Sequence, residues 1–127
     1  MNNAIKIKIL SPEIIKKGWG YEKVICNNEE FCGKILHFNE GNKFSFHFHV
    51  KKREVFYVLK GVLELTTINY LDGTKYSYTF REGDIIEIDR LVPHQIYAVR
   101  DVDIIEISSH HEDSDSYRIA PGDSQKL

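Results

Sequence analysis

Gly41-Asn42-Lys43-Phe44-Ser45-Phe46-His47-Phe48-His49-Val50-Lys51-Lys52-Arg53-Glu54-Val55-Phe56-Tyr57-Val58-Leu59-Lys60-Gly61 is the stretch on which the fold turns. From Phe44 to Val50 aromatic and polar residues alternate strictly. On a β-strand, side chains two apart share a face. His47 and His49 therefore share one face, and Phe44, Phe46 and Phe48 pack on the other. Two imidazoles one strand step apart can chelate one ion. Glu54 opens the next β run after the short link Val50–Arg53; if the two runs pair as a hairpin, it lies close to the histidines.

Outward from this stretch the chain continues as short β-rich runs punctuated by turns. Phe31 to Phe38, Glu54 to Leu59, Val62 to Tyr70 and Lys75 to Arg81 read as strands, followed by Asp84 to Asp89, Gln95 to Val99 and Val102 to Ile107. Asp72-Gly73 between two such runs is a strong hairpin signal. Gly41, Gly61, Gly83 and Pro93 sit at the joints. Many short strands at regular spacing predict an all-β sandwich or barrel. No stretch of helical length keeps a 3.6-residue apolar period. Ser11-Pro12-Glu13-Ile14-Ile15 reads as one helical turn, with Ser11 as N-cap and Pro12 at the first helical position. The tail after Ser109 is polar, and its last residues are expected to be mobile.

The chain has 127 residues, which suggests one domain. A chain of this size removes about two-thirds of its unfolded surface from water and needs no staples. Lys plus Arg is 17 and Asp plus Glu is 19, for a formal net charge of -2. That balance gives no general pull toward nucleic acid or anionic membrane. The longest basic run is only Lys51-Lys52-Arg53. Cys26 and Cys32 flank the turn Asn27-Asn28-Glu29-Glu30, where a cross-strand disulfide is conceivable. Two cysteines make no disulfide framework, however. With no signal-peptide pattern and no apolar run of membrane-spanning length, the expectation is a cytoplasmic protein with free thiols.

A second block, Gly83-Asp84 followed by Pro93-His94, adds a third imidazole. A barrel can bring the strand after Pro93 beside the first. His47, His49, Glu54 and His94 then form a set of three neutral imidazoles and one carboxylate. Such a set suits one divalent ion among Zn, Mn, Fe, Ni, Co or Cu, with positions left for water or substrate. A closed structural zinc site would usually carry cysteine ligands.

The two blocks together resemble the cupin superfamily. Gly41, His47, His49, Glu54 and Gly61 stand at the spacing of its first motif, and Gly83 to His94 is similar to the second. In this chain Pro93 directly precedes His94, whereas many members place a Pro-x-Gly step slightly earlier. The resemblance covers about residues 18–107. It implies a double-stranded β-helix, a jelly-roll-like barrel with the metal inside. The chain then divides into an N-terminal arm (1–17), the core (18–107) and a polar C-terminal tail (108–127). A narrower resemblance lies in Gly18-Trp19-Gly20-Tyr21-Glu22 and in the acidic run Glu112 to Ser116 that leads to Arg118. Both are similar to the cupin domain of mannose-6-phosphate isomerases, including those fused to a mannose-1-phosphate guanylyltransferase. Gly18 here replaces their proline.

That resemblance implies a metal-dependent enzyme acting on a sugar or sugar phosphate by aldose–ketose isomerisation. Two further readings stay open: an Fe(II)-dependent dioxygenase, and a non-catalytic sugar-binding accessory cupin. Lys34 and Arg118 are candidate substrate contacts. No residue is singled out as the general base. Lys34 either snorkels at a sheet edge or points into a cavity. Arg118 is either a solvated tail charge or a bidentate anion contact. His37 has the opposite parity from Lys34, so the two do not serve one cavity. Glu64 shares parity with Val62. His110 and His111 are read as surface residues, and Trp19 as packing at the N-terminal approach or a rim of the barrel mouth. A homodimer is expected, because sheet edges and the Phe44, Phe46 and Phe48 face must be covered. The N-terminal segment or a partner subunit would supply that cover.

Overall fold

The structure, a computed structural model, describes residues 6–126. Strict two-residue alternation builds its inner walls. In β3 (Cys32–Phe38) the buried positions are Cys32, Lys34, Leu36 and Phe38. In β5 (Glu54–Lys60) they are Glu54, Phe56 and Val58. In β10 (Val102–Ser108) they are Val102, Ile104, Glu106 and Ser108. The remaining strands are β1 (Glu13–Lys17), β2 (Gly20–Asn27), β4 (Phe46–His49), β6 (Val62–Asn69), β7 (Thr74–Arg81), β8 (Ile85–Ile88), β9 (His94–Ala98) and β11 (Ser116–Ala120).

These strands form two antiparallel sheets, ordered β1-β2-β3-β10-β5-β8 and β11-β4-β9-β6-β7. The core lies between them. Leu36, Phe38, Phe56, Val58 and Ile104 from the first sheet meet Leu63, Leu65, Ile96 and Ala98 from the second. Sheets packed face to face with inner side chains interdigitating are the expected way to bury one face of each. The architecture is the double-stranded β-helix that the sequence implied, and the described residues contain no α-helix. The β6–β7 hairpin closes through Gly73 at a φ of 74°. Gly61 is required twice over. Its φ is 95°, and a Cβ there would run into the Asp101 carbonyl.

Four local expectations change. Glu13–Lys17 is a strand rather than part of a helical turn, because it pairs along its length with β2. Cross-strand pairing of its β-branched pair outweighs a capped start with too few residues to propagate a helix. β4 and β5 do not form a hairpin. They lie in opposite sheets, so the link Val50–Arg53 crosses the sandwich. The polar tail is structured as β11, which pairs with β4, and Tyr117 stacks on Phe48 at 5.3 Å. The tail therefore covers part of that outer face. Phe44 is the fourth change. It precedes β4, where the alternation has not begun, and it packs inside against Trp19, Phe38 and His47.

Candidate metal centre

His47 and His49 project inward from β4, and His94 opens β9 directly opposite His47 in the antiparallel register. Adjacent strands bring such a pair close. The ring centroids of His47 lie 4.7 Å from His94 and 4.9 Å from His49. One nitrogen from each of the three histidines lies within 4.8 Å of the others. Glu54 reaches the same point from the facing sheet. Its Oε1 is 2.8 Å from His94 Nε2 and 3.7 Å from His49 Nε2.

The opposite ring nitrogens are all held. His47 Nδ1 lies 2.7 Å from the Ser45 carbonyl, His49 Nδ1 3.1 Å from that of Asp115, and His94 Nδ1 2.9 Å from that of Val92. A carbonyl only accepts, so each Nδ1 carries a proton and each Nε2 is the ring nitrogen left to face a cation. Metal-ligating histidines are oriented in this way. Among the described residues, His94 Nε2 and Glu54 Oε1 are buried and have no hydrogen-bond partner. Two buried acceptor atoms aimed at one point fit a cation between them.

The electrostatics agree with that reading. Burial pushes His47 down to about 3, with His94 and His49 adding to the effect. Burial likewise lowers His49 to about 4, against the opposing pull of Glu54. Both rings are neutral at pH 7, as metal ligation requires. Burial opposes ionisation of Glu54, but the Lys52 ammonium beside it outweighs that effect and holds the carboxyl well below the usual range.

Lys52 is a residue the sequence reading missed. It is buried, with Nζ 3.2 Å from Glu54 Oε2, 3.3 Å from Glu106 Oε2 and 3.1 Å from His111 Nδ1. All three of its donors have acceptors. Glu106, also missed, was recognisable by the parity that singled out Lys34, since it shares an inward row with Val102 and Ile104. Asp115 had no such signal. Its carboxylate accepts from the backbone N–H groups of Val50, Lys51 and Lys52, while its carbonyl orients His49.

A polar cleft of about 300 Å³ opens beside these groups. Lys34 is buried and lines it, so the cavity alternative holds for that residue. His37 faces the other way, bonded to Asp103 at 2.6 Å and stacked on Tyr21. Arg118, exposed and opposite His47 in the β4–β11 register, lines the cleft from the tail. Trp19 both stacks on Phe38 at 4.2 Å and lines the cleft. His111 departs from the surface expectation. It is half-buried in the cleft wall, because Lys52 holds one ring nitrogen and Asp113 the other. His110 bonds the Asn28 carbonyl away from the cleft. Cys26 and Cys32 are both free thiols.

Among known proteins, the Cupin domain family matches residues 34–108. No curated protein matches the chain in sequence. A variant of Bacillus subtilis oxalate decarboxylase superposes with a TM-score of 0.73 at 18% identity, over 85% of this chain and 30% of that one. A second structure of that enzyme, described by its Mn(II) centers, gives 0.74 at 16% identity over the same shares. The chain thus spans about 30% of the length of the oxalate decarboxylase chains it matches. KdgF from Halomonas sp. gives 0.62 at 20% identity, over 74% of this chain and 81% of that one. Likeness at these identities is likeness of fold.

Proposed function

We propose a function from one premise: the chain belongs to the cupin domain family. It is a metal-dependent enzyme acting on a small polar substrate, with a sugar or sugar phosphate as the class. His47, His49, Glu54 and His94 hold one divalent ion. The observation that carries this reading is the orphaned pair His94 Nε2 and Glu54 Oε1, set among three histidines whose Nδ1 protons are already held. A bound divalent ion supplies Lewis-acid polarisation of a carbonyl and its neighbouring hydroxyl.

The chain's own residues do the rest. Lys52 fixes Glu54 by its Oε2, so that Oε1 faces the histidines. Glu106 is a buried carboxylate in the cleft that lies outside the donor set, and it is the candidate to accept a proton beside a carbonyl. That assignment favours aldose–ketose isomerisation of the mannose-6-phosphate isomerase type. The polar lining, with hydroxyls from Ser45, Ser116 and Ser124, suits a polyhydroxylated substrate. A homodimer and a cytoplasmic location belong to the same reading. Exposed Ile85 and Ile107 on the outer face of the six-stranded sheet support the first, and the free thiols support the second.

Elemental analysis of the purified protein, then a sugar-phosphate isomerase screen with the metal found, tests the proposal. Turnover abolished by chelation and restored by that metal is the expected result. Fe(II)-dependent oxygen consumption would replace isomerisation with dioxygenation, and sugar binding without turnover would make the protein an accessory cupin. Absence of bound metal after supplementation would sink all three. Light scattering that gives a monomer mass across micromolar concentrations would remove the dimer.

A further inference from the structure

The cleft contains two buried lysines, Lys34 and Lys52, and their surroundings differ. An ammonium group has three donors. At Lys52 all three are matched by Glu54, Glu106 and His111. At Lys34 only Glu22 Oε1, at 3.2 Å, is bonded among the described residues. Lys34 is nevertheless 3% exposed, so its remaining donors face the cleft without water in bulk around them. Leaving such donors without acceptors is costly.

Charge points the same way. Glu22 is shared between Lys34 and Lys17, whose Nζ lies 3.9 Å away, so two ammonium groups lean on one carboxylate. Over the whole cleft, four cationic side chains balance four carboxylates. A divalent ion then leaves the cleft net positive. Lys34 also lines the groove that adjoins the metal cleft, so a ligand can reach it from the open side.

We infer that Lys34 is an anion anchor: the substrate carries a phosphoryl or carboxylate group whose oxygens accept from Lys34 while another part of the molecule faces the metal donors. This rests on the metal-cleft reading above and narrows its substrate class to anionic molecules. Lys52, with its donors already matched, positions Glu54 and Glu106 and does not bind the anion.

The test uses the full chain loaded with Mn(II) and two minimal probes, inorganic phosphate and acetate. Paramagnetic broadening of the phosphorus and carbon NMR signals reports binding. Retention of Mn(II) after dialysis is measured first. At least one probe is expected to bind. Lys34→Met should weaken binding about tenfold, the effect of losing one hydrogen bond to a charged group. Lys34→Arg should keep most of it. Glu22→Gln should strengthen it, because the competing carboxylate is gone. A merely structural Lys34 would predict weakening or no change in that variant. Phosphate binding alone assigns a phosphoryl group and acetate binding alone a carboxylate. Protein that retains no Mn(II) overturns the metal reading and this inference with it. Loaded protein that binds neither probe, or whose Lys34→Met and Glu22→Gln variants bind unchanged, overturns this inference and leaves the metal reading standing.

Discussion

On the cleft wall built by β4 and β9, three imidazoles turn one ring nitrogen each toward a common point, and among the described residues His94 Nε2 has no hydrogen-bond partner. On the facing wall built by β3, β5 and β10, together with the link before β5, the buried groups are charged and matched to one another. Lys52 meets Glu54 and Glu106, and Lys34 meets Glu22. The histidine wall is therefore incomplete without a cation, while the charged wall is nearly complete by itself. Removing Lys52 from the second should damage the fold, whereas changing the first should alter which ion the protein holds.

The largest effect is expected on the charged wall. Lys52→Met leaves Glu54 and Glu106 buried without their shared cation. Removing one member of a buried pair costs about 3–5 kcal/mol, and urea unfolding would measure it. A loss below ~1 kcal/mol would show that the two carboxylates take up protons cheaply, and the contrast between the walls would fail.

On the histidine wall, metal should act as a stabilising ligand. Binding to the folded state alone adds ~2.7 kcal/mol at free metal 100-fold above Kd. His47→Ala, His49→Ala and His94→Ala should lose that increment along with bound metal. Across the cleft, Glu54→Gln weakens the pairing with Lys52, so it should fold with some loss of stability and retain metal less tightly. Thermal melts with and without chelator, paired with metal content after dialysis, check this. Equal melts after verified metal removal would count against a metal site.

Acid should separate the walls in the metal-free protein. His47 and His49 are lowered from 6.5 to about 3 and about 4 by burial. Between those values and 6.5 the unfolded chain binds more protons than the native one, so stability rises with pH across that window. It is complete above about 6.5 and falls on acidification, by roughly 1.4 kcal/mol per pH unit for each histidine. His47→Ala should flatten the slope measured by denaturant unfolding from pH 7 to 4. An unchanged slope would remove His47 as its source.

The smallest effect is expected for His110→Ala, away from the cleft: within about 0.5 kcal/mol and with full metal retention. His111→Ala is the sharper comparison. It removes an acceptor from Lys52 and should lower stability measurably while leaving the three metal-facing imidazoles in place. Loss of metal from His110→Ala alone would move the site to the tail.

The all-β class was legible because a two-residue period is local: Leu36 and Phe38, or Phe56 and Val58, declare an inward face within a few residues. The same period put His47 and His49 on one face and separated Lys34 from His37. It failed at Phe44, which precedes the strand, and in the tail, where Tyr117 and Arg118 show their role only once β11 lies beside β4. Glu54 was singled out by spacing, but its route to the histidines was not. It comes across the sandwich rather than along a hairpin, because sheet order is a property of the whole chain.

The sequence by itself determined which side of each strand a residue faces and which residue types were available for chemistry. Only the tertiary structure decided which of them meet. Lys52 joins Glu106 across 54 positions and His111 across 59, and Asp115 caps the Val50–Lys52 amides from more than 60 positions away. Facing direction follows from the backbone geometry of neighbouring residues. Long-range pairing is set by how two sheets bury their apolar faces against each other, and no local pattern encodes that.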